Sequence, residues 1–229
     1  MPMHTLYPAE WEPHEATWLG WPHNTSDWPG KFAPIPWVFG EMARHISAGE
    51  NVHLIVRDAR HESSARRVLD AAGVPRERIR FFRWPTNTFN AWAKYPDWKL
   101  DNGIAAKAAR ALKLPCIPVD LNGRRVVLEG GGIDVNGRGT LLTTEECFMD
   151  QEVQCRNPGF SKRDWQQVFA NYFGAPNVLW FNKGIAGDDT HGHVDDLCRF
   201  VNARTVVLVE EKNPADANYR PLAENWERV

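Results

Sequence analysis

The sequence has no apolar run long enough to cross a membrane, no closely spaced cysteine pair and no surplus of basic charge. Its longest apolar runs, such as RTVVLVEE (204–211), are strand-sized, well short of the roughly 20 residues of a bilayer-spanning helix. The opening stretch MPMHTLYPAEWEPHE lacks a basic segment followed by an apolar one, so no secretory signal is expected. Four cysteines (Cys116, Cys147, Cys155 and Cys198) form no C-x-x-C motif, and a chain of this length does not need disulfides. Reduced thiols in a cytoplasmic setting are therefore expected. A net charge of -2 leaves no basic field for nucleic acid or an anionic membrane.

What the chain does have is apolar material for a core (43%), 11 tryptophans and 16 prolines. Several of these cluster in WEPHEATWLGWPHNTSDWPG (11–30). Packed strands and rigid turns explain such a stretch most simply. The alternative is an aromatic-walled pocket for an organic cation, held by cation–π attraction of roughly 0.5–2 kcal/mol.

Strand-like and helix-like patterns alternate along the chain. Strands are expected at 16–21, 51–56, 79–84 and 177–181, and helices at 37–46, 62–73, 102–114 and 161–174. Gly73 and Gly174 serve as stops and Ser161 as a cap. Within 124–147, two β-rich runs flank VNGRG, and Asn136-Gly137 is a strong hairpin signal. TLLTTEE (140–146) matches TVVLVEE (205–211) at an offset of 65, and the partner strands GGIDVN and CRFVN also correspond. Each hairpin precedes a helical stretch, which suggests modules arranged around an axis. No linker divides the chain, so a single domain over residues 1–229 is expected.

The densest chemistry lies in GDDTHGHVDD (187–196). Three readings are open from the residues. His191 and His193 with Asp189 or Asp195 are ligand types that zinc or iron accepts. A polar surface turn is the plainest reading. In the third, His193 carries protons near neutrality and Asp195 anchors a planar cation in bidentate fashion. Glu129, in LEGGG (128–132), stands where a glycine-rich backbone can approach a ligand.

YPAEWEPHEATWLGWPHN, FNAWAKYPDW, LEGGGIDVNGRGTLLTTEEC and DDTHGHVDDLCRFV together resemble the agmatine deiminase and bacterial peptidylarginine deiminase family. The resemblance implies an α+β fold, a pseudo-fivefold propeller (pentein) of ββαβ-type modules. It implies hydrolysis of agmatine to N-carbamoylputrescine and ammonia through a cysteine-linked intermediate, with no cofactor and no metal. A guanidinium compound, agmatine above all, is the implied partner; peptidyl-arginine is the alternative. By the same resemblance His193 is the general acid/base, Glu129 orients it, and Asp195 with Asp189 holds the substrate.

Two elements of the family pattern have no counterpart. A W-x-R-D-x-G-P segment would precede FNAWAKYPDW, but the sequence runs directly through Thr88 near 87–89. The nucleophilic cysteine motif near the family carboxyl terminus is also unmatched, and Cys198 in DDLCRFV reads as strand core. An incomplete chain without turnover is expected, or else a non-catalytic remnant that binds guanidinium compounds. Uncovered strand edges would favour self-association into homo-oligomers.

Overall fold

A computed structural model of the chain describes residues 6–86 and 100–229. The junction near 87–89 and the segment FNAWAKYPDW lie outside the described residues. Two compact units form: Pro13–Cys116, and residues 6–12 together with 117–229.

In the first unit, β1 (Ala16–Gly20) leads through α1 (Ile35–Ile46) to β2 (Asn51–Val56), and α2 (Ala59–Ala71) leads to β3 (Ile79–Arg83). The strands form a parallel sheet in the order β1-β2-β3. Alternation along the strands sorts their side chains. Leu19, Val52, Leu54, Val56, Ile79 and Phe81 join Ala43, Ala65 and Leu69 of the helices in one core. Trp18, His53 and Phe82 alternate to the other face, with Trp18 4.6 Å from both rings. Trp21 and Trp28 both meet Phe39 at 6.3 Å, so much of the tryptophan cluster goes into packing. The helix expected at 62 starts three residues earlier, because Asp58 accepts the His61 amide at 2.8 Å and caps it. The last helix, α3 (Ile104–Leu112), ends on Lys113 in the left-handed region (φ 57).

The second unit opens with a short antiparallel pair, β4 (Asp120–Leu121) and β5 (Arg124–Arg125). The expected hairpin follows as β6 (Asp134–Val135) and β7 (Thr140–Thr144), antiparallel as paired. Its turn is built by Asn136, whose Oδ1 accepts from the amides of Arg138 and Thr140 at 2.8 and 3.0 Å, and by Gly137 at φ 65. Next come α4 (Glu145–Met149), α5 (Lys162–Phe173) and β8 (Asn177–Phe181), which pairs parallel with β7. Ser161 and Asp164 cap α5 reciprocally, and Gly174 closes it at φ 62; a cap of this kind contributes about 1 kcal/mol.

β7 is buried on both faces. Leu141 packs with Trp165, Val168 and Phe169 of α5, whereas Leu142 packs with Phe181, Val194, Leu197 and Cys198. The second copy of the 65-residue repeat is β9 (Cys198–Asn202) and β10 (Thr205–Leu208), again an antiparallel hairpin followed by a helix, α6 (Tyr219–Trp226). The two hairpins are joined through Asp134, which accepts the Phe200 amide at 2.6 Å, and Asn136, which donates to the Ala203 carbonyl at 3.0 Å.

Candidate active site

Two backbone segments of the second unit approach each other, and glycine makes the approach possible. Asn157 bonds both the amide and the carbonyl of Val127, at 2.9 and 2.7 Å, which fixes the extended chain entering Glu129. A single 3-10 turn, Gly130–Gly132, follows. A Cβ on Gly131 would lie 2.4 Å from His193 Nδ1, and one on Gly132 would lie 3.0 Å from Cys147 Sγ. The second segment, 182–197, folds on itself where Gly184 and Gly192 meet; a Cβ on Gly184 would lie 2.6 Å from the Gly192 Cα. Gly192 has φ 84, a conformation that favours glycine.

Asp188 holds this loop. Its carboxylate accepts from the amides of Thr190, Gly192 and His193 at 2.7, 3.0 and 3.1 Å, and from the Thr190 hydroxyl. Burial pushes the Asp188 carboxyl up, but the hydrogen bonds from Thr190 and His193 outweigh it and hold it below the usual range. The Thr144 hydroxyl adds a second anchor, donating to the Gly192 carbonyl at 2.5 Å while accepting the Cys147 amide at the start of α4.

Glu129, His193 and Asp195 come together. A Glu129 oxygen, the Cys147 sulfur and a His193 ring nitrogen all lie within 4.8 Å of one another. His193 Nδ1 is 3.9 Å from Asp195 Oδ1, and His193 Nε2 is buried without a hydrogen-bond partner. Asp189 is exposed, its backbone carbonyl accepts from Gln154 at 3.2 Å, and its charge acts on Asp196. His191 turns elsewhere, with Nε2 3.0 Å from Asp150. A surface pocket of about 360 Å³ beside it is lined by Glu145, Glu146, Asp150 and Lys183 among others, but by neither Glu129 nor His193.

The electrostatics favour an incoming cation. Burial, and then repulsion from Asp196, pushes the Asp195 carboxyl above its ordinary range. Asp196 is raised in turn by burial and by Asp188. A positive group placed on Asp195 relieves both effects. The donor set Glu129, Cys147 and His193 also matches what a soft divalent cation accepts. Burial pushes the Cys147 thiol up to about 12, however, and so disfavours the thiolate that such a cation needs.

A family model described as Porphyromonas-type peptidyl-arginine deiminase matches residues 6–88 and 86–229. The chain belongs to this family. An agmatine deiminase of Medicago truncatula is 31% identical over 96% of the chain, and one of Pseudomonas aeruginosa is 30% identical over 93%. The chain spans 65% and 62% of their respective lengths. Among solved structures, the agmatine deiminase of Enterococcus faecalis superposes with a TM-score of 0.83 at 26% identity, covering 97% of this chain and 65% of that one. A cysteine-to-serine form of the C. jejuni agmatine deiminase with substrate bound gives 0.82 at 27%, covering 97% and 70%.

Three residues of this family member escaped the sequence reading. Arg156 pairs with Glu129, Asp188 orders the histidine loop, and Cys147 faces His193. For Asp188 the signal was present, since an aspartate two residues before a threonine in a glycine-bounded loop favours an Asx turn. Arg156, in CRNPG, carried no periodic signal at all. Cys198, read as strand core, is 1% exposed, and burial pushes its thiol up to about 12.

Proposed function

We propose that these 229 residues carry the proton-transfer and substrate-holding part of an agmatine deiminase. The observation behind the proposal is the convergence of Glu129, His193 and Asp195 from two segments 64 residues apart. In the reaction, Asp195 pairs with the guanidinium N–H groups and holds the central carbon. A cysteine thiolate adds to that carbon, and the C–N bond to the leaving nitrogen breaks as His193 gives it a proton. His193 then takes a proton from water. The resulting hydroxide attacks the same carbon, the C–S bond breaks, and N-carbamoylputrescine leaves, so agmatine and water yield the ureido product and ammonia. Glu129 orients the His193 imidazole, and Asp189, at the loop rim, is the outer substrate contact. The chain forms part of one deiminase domain, a pseudo-fivefold ring of ββαβ modules, acting in the cytoplasm; the paired hairpins 65 residues apart support the ring.

Neither Cys147 nor Cys198 suits the nucleophile's role, because burial pushes each thiol up to about 12. This favours a second reading for the 229 residues taken alone, a guanidinium-binding protein without turnover. Calorimetry with agmatine and putrescine tests the site. Agmatine should bind, putrescine should not, and Asp195→Asn should weaken agmatine by at least about tenfold. Equal binding of the two amines would sink the clamp. The chain should also release no ureido product, and a product signal abolished by Cys198→Ser would overturn the assignment of Cys198 to packing.

A further inference from the structure

The Arg156 side chain is 1% exposed and donates to three groups around the site among the described residues. Nε donates to Glu129 Oε2 at 2.7 Å, Nη1 to the Cys147 carbonyl at 2.8 Å and Nη2 to the Thr190 carbonyl at 2.5 Å. The first carbonyl belongs to α4 and the second to the loop that carries His193. At the same time a Glu129 oxygen lies within 4.8 Å of a His193 ring nitrogen, yet His193 Nε2 is buried with no hydrogen-bond partner. A carboxylate this close would ordinarily capture an imidazole N–H.

We infer that Arg156 is a positioning residue that fixes Glu129 beside His193 in an ion pair, tempers the carboxylate's pull on the imidazole, and braces both α4 and the loop that carries the ring. Among the described residues, the groups acting on His193 are Glu129 from the glycine turn, Cys147 from α4, and Asp188, Asp195 and Asp196 from its own loop. Arg156 acts on Cys147, and Arg199 acts on Asp195. The surroundings are therefore already rich in carboxylates. Releasing Glu129 from Arg156 adds one more unscreened anion within reach of the ring, which then holds its proton more tightly.

The test is a proton NMR titration of the His193 ring in the whole chain, with the resonance assigned through His193→Asn. Arg156→Gln should move the titration midpoint upward by roughly one pH unit, about a tenfold gain in proton affinity. Arg156→Lys keeps the positive charge and drops carbonyl bonds, so it should leave the midpoint within a few tenths of a unit while lowering the melting temperature. Glu129→Gln, which leaves the guanidinium without its anion, should move the midpoint downward. No shift in Arg156→Gln, an equal shift in Arg156→Lys, or shifts of one sign in Arg156→Gln and Glu129→Gln would each overturn the inference. If Arg156→Gln fails to fold, the other two variants decide on their own: a rise of about one pH unit in Arg156→Lys, or a midpoint in Glu129→Gln that stays or rises, overturns the inference. The titration requires no turnover, so only the consequence for proton transfer rests on the deiminase reading.

Discussion

Replacing Gly131 with alanine tests the site more directly than removing any of its charged groups. The new Cβ would lie 2.4 Å from His193 Nδ1 and 2.9 and 3.0 Å from the Asp195 carboxylate oxygens. A carbon and a nitrogen need about 3.5 Å, so the imidazole must retreat by roughly 1 Å. Gly131 is not among the residues at positive φ, so backbone strain contributes nothing and the clash carries the whole effect. The His193 side chain is only 12% exposed, which leaves it little room to move. Overpacking of this kind costs about 1–3 kcal/mol of stability, and pushing on the Asp195 carboxylate also disturbs the clamp that holds agmatine. Gly130→Ala is the control, since nothing lies within 4 Å of a Cβ there. Thermal melts and agmatine calorimetry on both variants would read the two effects, with a fall of roughly 2–4 °C per kcal/mol. If Gly131→Ala melts and binds like Gly130→Ala, the close packing of the glycine turn on His193 is not what shapes the site.

Three further outcomes are expected. Thr144→Val should cost about 1–3 kcal/mol in denaturant unfolding, because the Gly192 carbonyl and the Cys147 amide both lose the hydroxyl; a neutral result would mean that neither bond matters. Asp188 has a folded carboxyl held below its unfolded value, so its contribution is present above the unfolded value of about 3.9 and is lost as pH falls through the folded one. Asp188→Asn should therefore flatten the loss of stability below about pH 4, and parallel curves for variant and parent would contradict the assignment. Val201, Val207, Val209 and Trp226 are exposed around β9, β10 and α6, so light scattering should show concentration-dependent self-association that Val207→Lys reduces. A monomer at every concentration would refute it.

The regular elements were legible because their signals are local. Short apolar runs of strand length placed β2 and β8 to the residue, and Ser161 and Gly174 bound α5 as expected. The Asn136-Gly137 turn and the repeat of hairpins were legible for the same reason. Less of the site could be read. Glu129, His193 and Asp195 stood out by density and by resemblance, but the partner of Glu129 is fixed by a buried arginine 27 residues away. Periodicity carries no information about such a pairing, since Arg156 lies in an irregular segment. His191 and His193 look alike in the sequence, yet Asp150 takes His191, because His191 adopts φ 63 and turns away from the site.

The Asp134 carboxylate has a consequence for how the molecule opens. It sits in one hairpin, is 6% exposed, and accepts the Phe200 amide of the other as well as the amide of its own neighbour Val135. Neither hairpin can fray at this point without stripping a buried anion of its donors. Amide hydrogen exchange at Val135 and Phe200 should consequently proceed through a single opening event, the two repeats behaving as one cooperative foldon despite their separation in the chain. His193 lies on the segment that leads into the second of those strands, so its placement inherits the slow exchange of that foldon, not the breathing of a surface loop.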